Sequence, residues 1–332
     1  SNELKDVWLN SLANQANHLS KNLEYHILGN HLFANAKALI FAGLFLECNK
    51  SNYWYDKGLK LVKSQIKEQV LDDGGHFELS PMYHSIFLED LLDIINIHNL
   101  YEKKLPNIIT EKIQPMLYWI RSMSHPDKKL VFFNDTSFGN CASFEELSNY
   151  AMNLGLKNDI NCEQVNWLKE SGYISINKDR YYAAIDIGYI GPDYLPGHAH
   201  ADTLSFELSI NKKRVFVNSG ISCYGRSQER HRQRGTMAHN SVCIDNENSS
   251  EVWDGFRVAR RAYPRNLVID ETGLQLYLLL RYVPAPYTIL SGFMKLKPGH
   301  YLRFKQSNPS FEQIPYFSWD PHASEISPNS EN

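Results

Sequence analysis

The sequence predicts a multidomain protein that is α first and β second, a set of antiparallel helices followed by an antiparallel β-sandwich. Three observations carry that expectation: apolar residues recur at helical spacing to about residue 125, they alternate with polar ones after about residue 165, and residues 126–165 follow neither period. At 332 residues and 43% hydrophobic content, the chain can fill the cores of two domains.

In the first half, Leu32, Ala36, Leu39, Ile40 and Leu44 share one helix face, as do Ile86, Leu88, Leu91, Leu92 and Ile95. The interruptions "KSN", "LDDGG" and "LPN" are short and turn-like, so neighbouring helices pack as hairpins. The stretch opening "PDKKLVFFNDTSFGN" reads as a linker with one or two short helices. Beyond it, "YISINKDRYYAAIDIGY", "DTLSFELSINKKRVFVNSG", "HNSVCIDN", "NLVIDETGLQLYLLLRY" and "TILSGFMKLKPGHYLRFKQS" alternate between Gly, Asn and Asp turns, the pattern of sandwich strands. No repeat of fixed period is visible, and the one low-complexity tract is the polar tail "SEISPNSEN".

A net charge of −3 provides no global attraction to nucleic acid or to an anionic bilayer. The longest apolar stretches are too short to span a membrane, and "SNELKDVWLN" lacks the basic-then-apolar pattern of an export signal. Cys48, Cys141, Cys162, Cys223 and Cys243 are odd in number and without CxxC spacing, which argues against a disulfide scaffold or a thiolate zinc site and reads as mostly buried thiols. The 19 tyrosines suit stacking on sugar rings and equally suit a mixed core.

Five stretches concentrate chemistry. "LGNHLFANAKALIFAG" opens an apolar helix with Asn30-His31, where Asn30 is by itself an ordinary N-cap. "DDGGHFELSPMYHSIFLEDLLDI" sets Glu78, Ser80-Pro81, Tyr83 and His84 at a helix start. "PGHAHAD" places His198, His200 and Asp202 within five residues, and spacing alone leaves metal ligation, catalysis and a polar turn all open. "VFVNSG" supplies Asn218-Ser219-Gly220, and "RQRGTMAHNSV" supplies Arg234, His239 and Asn240. Overlapping the last, "YGRSQERHRQRG" gathers Arg226, Arg230, His231, Arg232 and Arg234 in nine residues, either a solvated loop or a local patch for sulfate or carboxylate groups.

Taken in order, Asn30-His31, "DGGHFELSPMYH", "FFNDTSFG", "GHAHADTLSFEL", "VNSG" and "RGTMAHNSV" make the chain resemble the heparinase II/III-like polysaccharide lyases of the alginate lyase/heparinase superfamily. The resemblance implies an (α/α) toroid over residues 1–125, truncated at its N-terminal side because the Asn-His helix lies so early. A linker over 126–165 and an antiparallel β-sandwich over 166–332 would follow. It implies a lyase acting on an acidic polysaccharide, a glycosaminoglycan or alginate, in the periplasm or outside the cell, although no signal segment is visible in these residues. Cleaving a uronic-acid bond by β-elimination requires neutralising the carboxylate, removing the C5 proton and protonating the leaving oxygen.

By resemblance, Asn30 and His31 face the substrate carboxylate, Tyr83 donates a proton to the leaving oxygen, and His198 completes the site. Tyr83 would also act as base if a protonated His or Arg234 favoured its phenolate. Tyr224, Arg234, Glu78 and His84 are further candidates for catalysis or substrate binding. His200, Asn218 and His239 would hold a structural zinc, with Asn218 standing where related lyases have Asp. Asp202 would orient a histidine or cap the turn. Two other readings stand beside the lyase: a non-catalytic polysaccharide-binding or assembly protein on the same fold, and an (α/α) glycoside hydrolase using Glu78 and Asp202.

Overall fold

Helices α1 (Asn2–Leu19), α2 (Gly29–Phe45), α3 (Ser51–Gln69), α4 (Pro81–Leu100), α5 (Asn107–Ser122) and α6 (Phe144–Asn153) account for the first half of the chain in a computed structural model that describes residues 2–157, 159–264, 270–305 and 308–317. Of the apolar faces read from the sequence, Leu32, Ala36, Leu39 and Ile40 on α2 and Leu88, Leu91, Leu92 and Ile95 on α4 are buried, while Leu44 and Ile86 are half-buried. Each of the leucines and isoleucines contributes about 1.5–3 kcal/mol by leaving water. Among the described residues, no helix is long and apolar enough to cross a membrane.

Strands β1 (Val165–Leu168), β2 (Tyr173–Lys178), β3 (Tyr181–Asp186), β4 (Phe206–Ile210) and β5 (Lys213–Phe216) form one antiparallel meander in that order. Its register pairs Tyr173 with Asp186 and Ala184 with Glu207. Tyr173, Tyr182 and Ala184 are buried in the same apolar cluster as Leu91, Leu117, Trp119 and Phe133. Helix α7 (Gln228–Arg234) and the ribbon of β6 (Val252–Trp253) and β7 (Arg257–Val258) follow.

The shared cluster corrects the expected domain boundary. Helices and sheet belong to one compact unit, Ser1–Pro264, and a second unit is Arg265–Asn332. Residues 126–165 are part of the first core rather than a linker, because Val131, Phe133, Leu147 and Ala151 are fully or almost fully buried.

The β half also differs in detail. "HNSVCIDN" forms no strand and contributes only an isolated bridge from Ile244 to Glu247. "NLVIDETGLQLYLLLRY", read as a strand, contains helix α8 (Glu271–Leu280), capped by Asp270, whose side chain accepts from the Gly273 N–H; its residues 266–269 lie outside the described ones. A short apolar run suits either period, and here the cap decides. Strands β8 (His300–Lys305) and β9 (Asn308–Pro315) pair in the second unit. The cysteines are not deeply buried: Cys48 is exposed and the other four are half-buried.

Candidate active site

Two hollows in the first unit flank a stacked pair of rings. One, of about 540 Å³, is lined by Asn30, His31, Glu78, His198, Arg226 and Arg257, among others. The other, of about 630 Å³, is lined by Tyr83, Phe138, Asn140, Ser219 and Tyr224, among others. Between them Tyr83 lies face to face with His198, ring centroids 3.7 Å apart, and the Tyr83 and Tyr224 hydroxyls are 2.9 Å apart.

Local sequence explains how Tyr83 is aimed. Ser80 caps α4, its hydroxyl accepting the Tyr83 N–H at 3.2 Å, and Pro81 fits the first turn because it has no N–H to satisfy. The same hydroxyl donates to the Asp135 carbonyl at 2.6 Å, tying the helix start to the loop that holds His198. Ser80→Ala should therefore destabilise the protein by about 2 kcal/mol and lower kcat more than it raises KM, measured by thermal melting and steady-state kinetics.

The start of α2 is equally specific. Gly29 adopts a positive φ of 54°, and a Cβ there would collide with the Glu78 carboxylate. That carboxylate accepts the Asn30 N–H, so Glu78 occupies the anion-binding end of the helix. Burial raises the Glu78 pKa, against the opposing pull of His198 and the Asn30 N–H. Asn30 is thus in the first turn, and Leu28, not Asn30, is the cap residue. His31 is half-exposed, 3.6 Å from Glu24.

Asp135 organises the opposite wall, and the sequence reading did not single it out. Its carboxylate receives His198 Nδ1 at 2.8 Å, His200 Nε2 at 2.8 Å and the Arg230 guanidinium in a two-pronged contact. Burial alone would raise its pKa, but the bonds from His198, His200 and Arg230 prevail and hold it well below the usual carboxylate range. An ionised Asp135 fixes the proton of His198 on Nδ1, leaving a lone pair on Nε2, which lies 3.7 Å from Glu78. The neighbouring Asn134 adopts a left-handed φ of 53°, as Asn tolerates, and its amide bonds the Leu79 carbonyl and the His200 N–H. "FFNDTSFG" carried a signal for this hub: an Asn-Asp pair in a turn within a matching segment.

The tyrosines are neutral acids here. Burial and then the hydrogen bond to Tyr224 push Tyr83 far up, and burial pushes Tyr224 up to about 12. This corrects the expectation that a cation, Arg234 included, favours the Tyr83 phenolate. Arg234 is fully buried, spending its donors on the carbonyls of Ala199, Asp254 and Arg257, and burial lowers its pKa to about 10. It braces the "PGHAHAD" loop and does not line either hollow. Arg230 is the cation near a site tyrosine, 5.2 Å from the Tyr224 ring centroid.

His84 is also corrected to a core residue. It stacks on Trp119, bonds the Met116 carbonyl at 2.9 Å and accepts the His76 N–H, and burial lowers its pKa to about 3. Within the arginine-rich stretch, Arg230 and Arg234 are interior and Arg232 is paired with Glu229, so Arg226 is the member that lines the cleft, in an ion pair with Asp254.

Behind His198, one ligand atom each from His200, Asp202 and His239 lies within 4.8 Å of the others. His200 Nε2–H points to Asp135, which leaves its Nδ1 a bare lone pair; that atom and both ring nitrogens of His239 are buried without a hydrogen-bond partner. Burial, and then His200, keep His239 neutral. Ring nitrogens without partners beside a buried carboxylate fit a divalent metal, with Asp135 behind His200 as an orienting carboxylate. The sequence reading gives the third ligand as the Asn218 amide oxygen. That Oδ1 accepts the Asn240 N–H at 3.0 Å, and Asp202, assigned from sequence to a turn or to orienting a histidine, is the acid beside the imidazoles. Asp202 is buried and lines neither hollow, so the Glu78–Asp202 pair considered for hydrolysis does not flank a common cleft.

Helices followed by an antiparallel sheet define a scaffold shared with known proteins. A family model described as Heparinase II/III N-terminus matches residues 2–158, and one described as Heparinase II/III-like, C-terminal matches residues 162–278. The chain belongs to the heparinase II/III-like family. A heparin-sulfate lyase of Bacteroides stercoris is 28% identical over 247 residues, covering 68% of this chain and 37% of the relative. One of Pedobacter heparinus is 27% identical over 265 residues, covering 73% and 39%. The crystal structure of Heparinase III aligns with a TM-score of 0.68 at 21% identity, over 81% of this chain and 45% of that one. Heparan sulfate lyase from Pedobacter heparinus aligns with a TM-score of 0.56 at 24% identity, over 78% and 45%. Likeness at that identity shows the fold alone. The chain spans about two-fifths of the length of these relatives.

Proposed function

We propose that the chain acts as a polysaccharide lyase that cleaves a uronic-acid-containing acidic polysaccharide by β-elimination. The observation that carries this reading is the Tyr83–His198 stack, with Tyr224 on the Tyr83 hydroxyl, standing between a hollow lined by Asn30 and His31 and a second hollow beyond it. Asn30 and His31 bind the uronate carboxylate and draw off its charge as the enolate forms. His198 Nε2, oriented by Asp135, takes the C5 proton. Tyr83, held neutral by burial, gives its proton to the leaving oxygen, and Tyr224 lies in reach to stabilise the phenolate so formed. The names of the curated relatives make heparan sulfate the first polymer to try.

Asn30→Ala and His31→Ala should each lower kcat by roughly a hundredfold with a smaller change in KM, because neutralisation matters most where charge develops. Steady-state kinetics on heparan sulfate, hyaluronan, alginate and bacterial glucuronan checks this. A change in KM alone would reduce either residue to plain substrate binding.

The same reading assigns a structural zinc to His200, Asp202 and His239. Bound there, a zinc ion supplies positive charge that offsets the buried Asp202 and ties three loop residues together. Elemental analysis of protein purified without chelator should find about one equivalent, and chelator should lower the melting temperature by several degrees. Asp202→Asn should abolish both effects. Metal-free protein with unchanged melting in chelator would leave these residues as a buried polar cluster.

A further inference from the structure

At the other end of the sheet, a hollow of about 770 Å³, larger than either side of the cleft, lies between the end of α5, the loop around residue 126, the start of α6 and the β2–β3 and β4–β5 turns. None of its lining residues is shared with either side of the cleft, and Tyr181, at the start of β3, is one of them. Its charge is unbalanced. Arg121, Lys128, Arg180 and Lys212 line it against only Glu145 and Asp179, and among the described residues none of the four cations has a carboxylate partner. On a chain with a net charge of −3, that concentration is local.

The rest of the lining is neither apolar nor idle. The base is rigid: His125 is fully buried with its ring bonded to Ser209 and Glu207, and the Tyr182 hydroxyl donates to the Ser122 carbonyl at 2.8 Å. Asn166 donates to Ser175 beside them. Above that base Tyr181 is 41% exposed with Arg180 5.0 Å from its ring centroid, and the amides of Asn161, Asn177 and Asn211 face the hollow's lining. Cations for charge, amides for hydroxyl groups and a partly exposed aromatic ring for a pyranose together match one ligand class.

We propose that this hollow is a second, non-catalytic site that holds an acidic oligosaccharide through Lys128, Arg180, Lys212 and the face of Tyr181. The ligand class rests on the polysaccharide reading of the cleft, while the site itself rests on its own charge and lining. Holding a distal stretch of polymer raises the effective concentration of neighbouring sugars at the cleft, so long chains gain and short ones do not.

The test compares the full chain carrying Tyr83→Phe, which blocks turnover, with the same chain also carrying Lys128→Gln, Arg180→Gln and Lys212→Gln. All three are exposed, so melting temperatures should agree. Calorimetry with heparan sulfate oligosaccharides and, separately, alginate oligosaccharides should show two sites in the first protein and one in the second for at least one series. Binding to the affected site should weaken by about tenfold or more. Neutral dextran fragments should bind to neither. With Tyr83 restored, the triple variant should keep kcat/KM on the shortest cleaved oligosaccharide and lose it on polymer. Equal stoichiometry and affinity in both proteins, or no binding of either series, overturns the proposal. So does inorganic sulfate competing at the same concentration as the oligosaccharide, which marks a simple anion site. Two-site binding without any elimination product would sink the lyase reading and leave the second site standing.

Discussion

Tyr83→Phe should reduce kcat roughly a hundred- to ten-thousand-fold while leaving the fold intact, because it removes the proton given to the leaving oxygen and almost nothing else. The lost contact is one hydroxyl–hydroxyl bond to Tyr224, worth about 0.5–1.5 kcal/mol, and the ring stack on His198 survives. Circular dichroism and thermal melting should therefore match the parent while turnover collapses. Tyr224→Phe makes a useful comparison: it should cost less, since Tyr224 steadies the phenolate without supplying the proton. Near-normal turnover in Tyr83→Phe would remove Tyr83 from the chemistry.

Asp135→Asn should show the largest loss of stability. It strips the counter-charge from a fully buried Arg230, and breaking a buried pair in this way costs about 3–5 kcal/mol. For a unit of this size the melting temperature should fall on the order of 10 °C. Activity should fall as well, because an amide no longer fixes the proton on His198 Nδ1. Adding Arg230→Met should recover part of the stability, since no charge is then stranded, but not the activity. The pH dependence follows from the direction of the shift. A depressed folded pKa contributes stability that is complete above the ordinary aspartate value of about 4 and is lost only as pH falls through the much lower folded value. Glu78 acts in the opposite sense: its raised folded pKa means stability declines as pH rises from its ordinary value of about 4.3 through the raised one. Melting curves should therefore lose less stability with rising pH in Glu78→Gln than in the parent.

Much of the helical half was legible because a 3.6-residue period over long stretches has few competing explanations, and the Ser80-Pro81 start of α4 is written in the residues themselves. The strands from Tyr173 to Phe216 were legible for the same reason with a period of two. The boundary at residues 126–165 was misread because burial of Phe133 and Leu147 depends on partners from both halves, which no local pattern reveals. Site residues such as Asn30, Tyr83 and His198 could be named through family-like segments, yet the 3.7 Å stack that joins Tyr83 and His198 is a tertiary fact. Asp135 escaped notice because a carboxylate's importance lies in what it faces, here two imidazoles and a guanidinium from distant segments. Asn218 was named from motif position, whereas the bond its oxygen accepts from the Asn240 N–H and the closeness of Asp202 to the two imidazoles are tertiary facts.

The central claim is that the bond breaks by elimination, and the product of the unaltered protein tests it most directly. Incubated with the acidic polysaccharide panel, the protein should release oligosaccharides whose new non-reducing end is a conjugated, unsaturated uronate, seen as rising ultraviolet absorbance and as a mass one water below the hydrolysis product. New reducing ends without that absorbance, or polymers bound but left intact, would contradict it.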